Sequence, residues 1–306
     1  MTVAIARQVA LEVLMRVEAD DAYANLLLNQ LSTSKRLDSR NAALAQELAF
    51  GSLRRKNTLE AIINEVSSRP AADLDPGVRA VVQLGVYQLL YTRIPVHAAL
   101  NESVEQSKAF AGGKASGLVN ASLRKVAQNG LDYWMHAILA KATNETERLA
   151  LKYAHPAWIV TSLKLALNAD GRSADLEHLL ESDNEPARVN LVALPGQVDN
   201  AILTDFEQHV SSPIGYLAPA GNPGEIQAVA DGSMRVQDAG SQLVALVAAH
   251  GAKANESWLD LCAGPGGKAV LLAAVAKTND SVLTCVEPAP HRAELVRKAL
   301  AASGLT

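Results

Sequence analysis

The residues with the clearest chemical potential are the glycines of one short turn. Residues 258–270, WLDLCAGPGGKAV, run from an apolar segment through Gly264, Gly266 and Gly267 into an apolar helical pattern. Glycine lets a ligand approach the backbone closely, and the first turn of a helix offers N–H groups that have no partner within the helix. The turn is therefore predicted to hold a ligand, and an unliganded tight turn is the alternative interpretation.

Three ligand classes compete for this turn. A nucleotide-binding P-loop fails at two positions, because Cys262 stands where its first glycine belongs and Ala269 replaces the magnesium-binding hydroxyl. A dinucleotide fingerprint fits Gly264, Gly266 and Ala269. It also fits Glu287, about 20 residues further on, although the pattern is permissive.

S-adenosylmethionine is the third ligand class. Its ribose hydroxyls require a carboxylate acceptor, which Glu287 provides, and its carboxylate fits the N–H groups of Gly266, Gly267 and Lys268. Residue types and spacing leave the choice between the dinucleotide and S-adenosylmethionine open.

The elements around the turn predict a parallel sheet. Residues 236–251 have a helical pattern, 257–278 a strand–turn–helix pattern, 281–287 a second strand and 290–304 a second helix. Alternating strands and helices favour right-handed parallel crossovers, and ligands bind beyond the carboxyl ends of such strands. This order places the turn and Glu287 at one edge of the sheet.

The N-terminal segment, residues 1–130, is predicted to be an all-helical bundle. Asp38 and Asp75–Pro76 are helix starts, residues 78–91 are apolar nearly all round, and Gly130 is a predicted helix end. Lys and Arg outnumber Asp and Glu by 15 to 12 here, but are outnumbered 13 to 20 in residues 131–306. A polyanion would therefore meet the first segment, where the basic cluster Arg54, Arg55 and Lys56 lies on a predicted helix. A solvated helix face is the alternative interpretation of that cluster.

Residues 131–231 form a predicted middle segment. Helix continues to about residue 161, where His155 before Pro156 is interpreted as a capping or packing residue rather than a catalytic one. The short β-like runs RVNLVAL and SPIGYLAP follow, among prolines and glycines, and predict a small α+β adaptor.

Composition excludes several protein classes. No apolar run reaches the roughly 20 residues that span a bilayer, and the N-terminus lacks the features of a targeting peptide. The two cysteines, Cys262 and Cys285, have neither disulfide nor metal-ligand spacing. We therefore expect a cytoplasmic monomer without a metal site.

The chain resembles a known family in two places. AQELAFGSLRRKNTLEAII, VRAVVQLGVYQLL and IPVHAALNESVEQSK, within residues 5–128, look like a NusB-like RNA-binding domain. LDLCAGPGGK resembles the first motif of RNA cytosine carbon-5 methyltransferases, and the whole resembles the RsmB/Sun type that acts on ribosomal RNA. The resemblance implies a NusB-like bundle (1–130), an adaptor (131–231) and the first strands of a Rossmann-like methyltransferase sheet (232–306).

The resemblance also assigns roles to residues. It implies that S-adenosylmethionine binds here, with Glu287 on the ribose, Arg292 near the adenosine and Asp260 fixing the strand-to-turn geometry. The methionine part would be wrapped by Cys262, Ala263, Gly264, Pro265, Gly266, Gly267 and Lys268. Ribosomal RNA is the implied substrate and partner.

The chain departs from the family at the catalytic cysteines. Family members use a thiolate that attacks carbon-6 of cytosine and a second cysteine that assists release, in Pro-Cys and Thr-Cys-Ser motifs. Cys262 belongs to the turn, and Cys285, in Thr-Cys-Val, lies within a predicted strand. We therefore assign no catalytic residue, and expect that the 306 residues are the N-terminal two thirds of a larger enzyme and are inactive alone. A non-catalytic RNA-binding protein with a vestigial cofactor domain and a dinucleotide-dependent enzyme are the alternatives.

Overall fold

The computed structural model describes residues 4–110, 113–219 and 221–305. It divides into two compact units, Met1–Glu185 and Pro186–Thr306, each with its own architecture. The boundary falls inside the predicted middle segment, so two units stand where three segments are expected. The segment limits at 130 and 231 remain predictions.

In its described residues, the first unit contains helices joined by turns and loops, and no strand. Its first seven α-helices are α1 Ile5–Asp20, α2 Ala24–Ser34, α3 Ser39–Arg54, α4 Lys56–Val66, α5 Pro76–Tyr91, α6 Val96–Phe110 and α7 Ser116–Val126. Two predicted helix starts are confirmed. Asp38 accepts a hydrogen bond from the Asn41 N–H at 2.7 Å, and Asp75 accepts from the Gly77 N–H at 3.0 Å, with Pro76 at the first helical position.

One apolar core holds these helices together. Helix α5 is buried along most of its surface, as its apolar sequence predicts, and it packs on α1, α3, α4, α6 and α7. The largest side chains that are fully buried in this core are Leu11, Leu48, Leu59, Ile62, Ile63, Leu84 and Leu123. Burying about seven such side chains contributes roughly 10–20 kcal/mol before the entropic cost of ordering them.

Four further α-helices follow in the described part of the first unit: α8 Leu131–Leu139, α9 Glu145–Lys152, α10 Ala157–Ala169 and α11 Leu176–Ser182. The prediction that Gly130 ends a helix is wrong. Gly130 has φ −79° and ψ 175° and precedes α8 as its N-cap, whereas α7 ends at Val126. His155 has the packing role that was predicted, with Nδ1 2.7 Å from the Tyr153 carbonyl and Nε2 3.3 Å from Asp183.

The second unit begins with a small antiparallel sheet. Its strands are β1 Asn190–Ala193, β2 Glu207–Gln208, β3 Gly215–Leu217 and β4 Met234–Val236, in the order β2-β3-β1-β4. Strands β1 and β3 lie within the two runs that the sequence marks as β-like. The one-turn helices α12 Asn200–Leu203 and α13 Gln227–Ala230 connect the strands, and Leu191 and Met234 are fully buried between them.

A parallel pair of strands follows, as the strand–helix alternation predicts. The elements are α14 Ala239–Ala248, β5 Ser257–Asp260, α15 Gly267–Thr278, β6 Val282–Cys285 and α16 Pro290–Ala302. Strands β5 and β6 pair from Ser257 opposite Val282 to Asp260 opposite Cys285, and α15 packs against α14, α16 and β6. The carboxyl ends of both strands therefore meet at one edge.

Candidate functional site

The turn after β5 is fixed to the end of β6 by backbone hydrogen bonds. The Val286 N–H donates to the Asp260 carbonyl at 2.8 Å, and the Ala263 N–H donates to the Val286 carbonyl at 3.1 Å. The Asp260 side chain accepts from the Cys262 N–H at 3.0 Å. Asp260 thus shapes the strand-to-turn geometry, which is the role that the sequence analysis gives it.

Gly266 begins helix α15 in a conformation that suits glycine. Its φ is +110°, and its N–H donates to the Ala263 carbonyl at 2.8 Å. A Cβ added there would lie 3.1 Å from the Ala299 Cβ and 3.2 Å from the Val296 Cα. No side chain in the described part of the chain caps this helix, so the N–H groups of its first turn are available to an anionic group.

Glu287, two residues beyond β6, lies against the same turn. Its side chain is only 6% exposed, and its Oε1 accepts from the Ala289 N–H at 3.0 Å. A Cβ added to Gly264 would lie 2.2 Å from the Glu287 Oε2, so a glycine is required for this approach. The structure thereby brings the carboxylate to the turn, although 23 residues of chain separate it from Gly264.

The other residues of the predicted cofactor turn differ in their exposure to solvent. Cys262, Pro265, Gly267 and Lys268 are exposed, and the Gly264–Pro265 peptide bond is cis. Ala263 is buried and packs with Ala269 and Val296. The assignment of these residues to a cofactor remains a prediction.

Cys285 is poorly suited to act as a nucleophile. It is half-buried at the end of β6, where it packs against the cluster of Ala263, Ala269 and Val296. Burial raises the pKa of its thiol, and the carboxylate of Asp260, its partner in the strand register, raises the pKa further. Because the thiolate is the reactive form, Cys285 is less reactive than an ordinary thiol at neutral pH.

The basic cluster lies at a helix junction rather than on one helix. Helix α3 ends at Arg54, and α4 begins at Lys56. The Arg55 guanidinium lies 5.4 Å from the centroid of the Tyr91 ring, and Tyr91 stacks on Tyr87 at 5.5 Å. These aromatic partners could not be recognised from local sequence, because they lie more than 30 residues away in α5.

Lys56 and the two arginines are therefore not equivalent. The Lys56 Nζ is 3.9 Å from carboxylate oxygens of both Glu18 and Glu60. Its charge is partly balanced within the bundle, whereas Arg55 lies over an aromatic face. Of Arg55 and Lys56, Arg55 is the better candidate for contact with a phosphate.

Within residues 4–110, 113–219 and 221–305, no helix is long and apolar enough to cross a membrane. No group of three or more His, Cys, Asp or Glu side chains in that same part of the chain is arranged to hold a metal ion.

Sequence comparisons match the two parts of the chain to two family profiles. The NusB family profile matches residues 4–128, and the profile described as 16S rRNA methyltransferase RsmB/F matches residues 247–306. The second match contains the glycine turn, Glu287 and the whole of α16. The chain belongs to the RsmB/F methyltransferase family, with a NusB domain at its N-terminus.

Relatives of known name match most of this RsmB/F family member. Rv1407 of Mycobacterium tuberculosis, whose name describes a methyltransferase, is 39% identical over 95% of this chain and 65% of its own length. A Bacillus subtilis protein named for ribosomal RNA small subunit methyltransferase B is 30% identical over 98% of this chain and 66% of its own length. The chain therefore spans about two thirds of the length of these relatives.

One solved structure shares the fold. The crystal structure of PH0851 superimposes with a TM-score of 0.72 at 15% identity, and covers 100% of this chain and 68% of the PH0851 chain. At this identity the likeness concerns the fold alone. It agrees with an all-helical unit followed by an α/β unit.

Proposed function

We propose that this RsmB/F family member is an S-adenosylmethionine-dependent methyltransferase that forms 5-methylcytosine in ribosomal RNA. Family membership supports methyl transfer, and the name of the Bacillus subtilis relative specifies ribosomal RNA of the small subunit. The match to the NusB family supports an RNA partner for the helical bundle. A monomer in the cytoplasm remains part of the proposal.

The observation that carries the proposal is the approach of Glu287 to Gly264 beside the first turn of α15. The Glu287 carboxylate offers acceptors for the two hydroxyls of a ribose, and the N–H groups after Gly266 offer donors for a carboxylate. S-adenosylmethionine carries both groups and supplies a methyl group when bound. A pyrophosphate is not required to explain the turn, in which Pro265 is exposed.

Cytosine methylation requires a thiolate that neither cysteine of this chain supplies. Carbon-5 of cytosine becomes nucleophilic enough only after a nucleophile has added to carbon-6. Cys262 lies in the turn that would hold the cofactor, and the pKa of Cys285 is raised by burial. Neither cysteine is therefore assigned as the nucleophile. We expect no methyl transfer from the 306 residues alone, whereas the longer Bacillus subtilis relative is the positive control.

Calorimetry with two ligands tests the cofactor assignment. The 306-residue chain is expected to bind S-adenosylhomocysteine, the demethylated product, and not to bind NAD. Glu287→Ala should weaken that binding by roughly 1–3 kcal/mol, the cost of leaving polar partners unpaired. Glu294→Ala is the matched control, because Glu294 is exposed and pairs with Arg297 on the same helix. Binding of NAD without S-adenosylhomocysteine would favour a dinucleotide-dependent enzyme, and binding of neither would favour an RNA-binding protein without catalysis.

A further inference from the structure

Arg292 connects the two turns that would hold the cofactor. It lies in the first turn of α16, and its Nη2 donates to the Gly264 carbonyl at 2.5 Å. Its Nε lies 3.6 Å from the Glu287 Oε2. One guanidinium therefore contacts the glycine turn after β5 and the carboxylate after β6 at the same time.

The surroundings of Arg292 fit this bridging arrangement. Glu287 is already fixed on its other oxygen by the Ala289 N–H, so the guanidinium completes the restraint on the carboxylate. A Cβ added to Gly264 would lie 3.1 Å from the Arg292 Cβ, so the same glycine that admits Glu287 also makes room for the arginine. A guanidinium presents several donors in a rigid plane, whereas the single ammonium of lysine cannot reproduce that fork.

These contacts of Arg292 contribute little to the stability of the second unit. Its side chain is 46% exposed, and exposed ion pairs contribute little to the free energy of folding. What the bridge does determine is the separation between the Glu287 carboxylate and the turn that begins α15. A ligand that contacts both ends loses less entropy on binding when that separation is already set.

We propose that Arg292 is a positioning residue that holds Glu287 and the Gly264 turn in the arrangement that one S-adenosylmethionine molecule engages at both ends. The proposal rests on the proposed function, because it presupposes this cofactor. Arg292 acts through Glu287 and the turn, and it need not contact the cofactor itself.

Calorimetry with S-adenosylhomocysteine tests the proposal on the 306-residue chain and five variants. Arg292→Ala should weaken binding about tenfold, and Arg292→Lys should recover only part of that loss, because an ammonium cannot bridge both turns. The double variant Arg292→Ala/Glu287→Ala should bind within about twofold of Glu287→Ala alone, since coupled residues are not additive. Arg297→Ala, which removes an exposed arginine of the same helix, should bind as the unmodified chain does. The melting temperature without ligand should change by less than about 2 °C in every variant.

The outcomes separate this proposal from the proposed function. If the unmodified chain binds no S-adenosylhomocysteine, the proposed function and the role of Arg292 are both wrong. If it binds but Arg292→Ala binds equally well, only the role of Arg292 is wrong. Losses that multiply in the double variant would show that Arg292 acts independently of Glu287, and full recovery by Arg292→Lys would show that charge alone is needed. Either result overturns the bridge.

Discussion

The helical bundle and the β5–α15 turn both use a glycine for close approach, with different results. In the bundle, Gly51 of α3 lies against Tyr87 of α5, and an added Cβ would be 1.9 Å from the Tyr87 hydroxyl. In the turn, Gly264 lies against Glu287, and an added Cβ would be 2.2 Å from its carboxylate. The first contact joins two helices of a core, and the second places an acceptor next to backbone donors.

The surroundings of the two glycines explain this difference. Tyr87 is 5% exposed, belongs to the continuous core and donates to Glu47 at 2.6 Å. Burial, reinforced by that hydrogen bond, raises the pKa of Tyr87. The Glu287 carboxylate is the end of a flexible side chain and lies beside the half-exposed Arg292. The buried apolar residues of this region, Ala263, Ala269 and Val296, form only a small cluster. The close contact at Gly51 should therefore matter for stability, whereas the close contact at Gly264 should matter for ligand binding.

The largest expected effect is on stability, at Gly51. Gly51→Ala should lower the free energy of unfolding by about 3 kcal/mol, because the new methyl group overlaps a buried ring that has little space to move. Urea unfolding followed by far-ultraviolet circular dichroism measures this change, since most of the signal comes from the helical first unit.

Gly117→Ala is the control for that substitution. Gly117 is also in a helix, α7, but an added Cβ there meets nothing within 4 Å. The substitution should leave stability unchanged or raise it by about 0.5 kcal/mol, because alanine is the better helix former. A similar loss in both variants would remove the distinction between a packing contact and helix propensity.

A smaller effect is expected at Gly264, on binding rather than stability. Gly264→Ala should cost less than about 1 kcal/mol of stability, because the overlapping atom ends a side chain that can turn away. S-adenosylhomocysteine binding should weaken by about 2 kcal/mol, since Glu287 then leaves the turn. Calorimetry and thermal unfolding of the same sample measure both quantities.

Gly267→Ala serves as the matched control in the same turn. An added Cβ at Gly267 meets nothing within 4 Å, and the backbone N–H is retained. This variant should therefore be as stable as the unmodified chain, so it is a control for stability and not for binding. If Gly264→Ala unfolds the second unit, the turn is a structural contact like Gly51 and the comparison fails.

The smallest expected effect concerns the basic cluster of the bundle. Replacing Arg54, Arg55 and Lys56 with alanine should weaken binding to ribosomal RNA and lower the slope of log affinity against log salt by about one to two. Lys56 should contribute least, because Glu18 and Glu60 already lie 3.9 Å from it. Filter binding across a series of salt concentrations gives the slope.

The control removes the same charge elsewhere on the bundle. Lys35, Arg36 and Arg40 lie around the junction of α2 and α3, and their replacement with alanine changes the net charge equally. An equal loss of slope in this control would indicate a general charge effect. An unchanged slope in the cluster variant would favour the alternative interpretation, in which Arg54, Arg55 and Lys56 lie on a solvated helix face.

Local sequence was sufficient to predict the features that depend on neighbouring residues. Asp38 and Asp75 predicted helix starts because a capping side chain acts on N–H groups two or three residues away. The strand–turn–helix order around the glycines was predictable because periodicity and glycine punctuation are local signals. Gly130 shows the limit of such signals, since a glycine between two helices fits the end of one as well as the start of the next.

Which distant groups meet depends on how the elements pack in three dimensions. Gln242 is fully buried in α14, where it donates to the Leu191 and Gln237 carbonyls and accepts from Ser212. Nothing in its local pattern distinguishes it from an exposed glutamine. Arg292 likewise reaches the Gly264 carbonyl across 28 residues of chain. Such contacts depend on how strands and helices pack, because a side chain finds a distant partner only after the backbone has brought both to the same place.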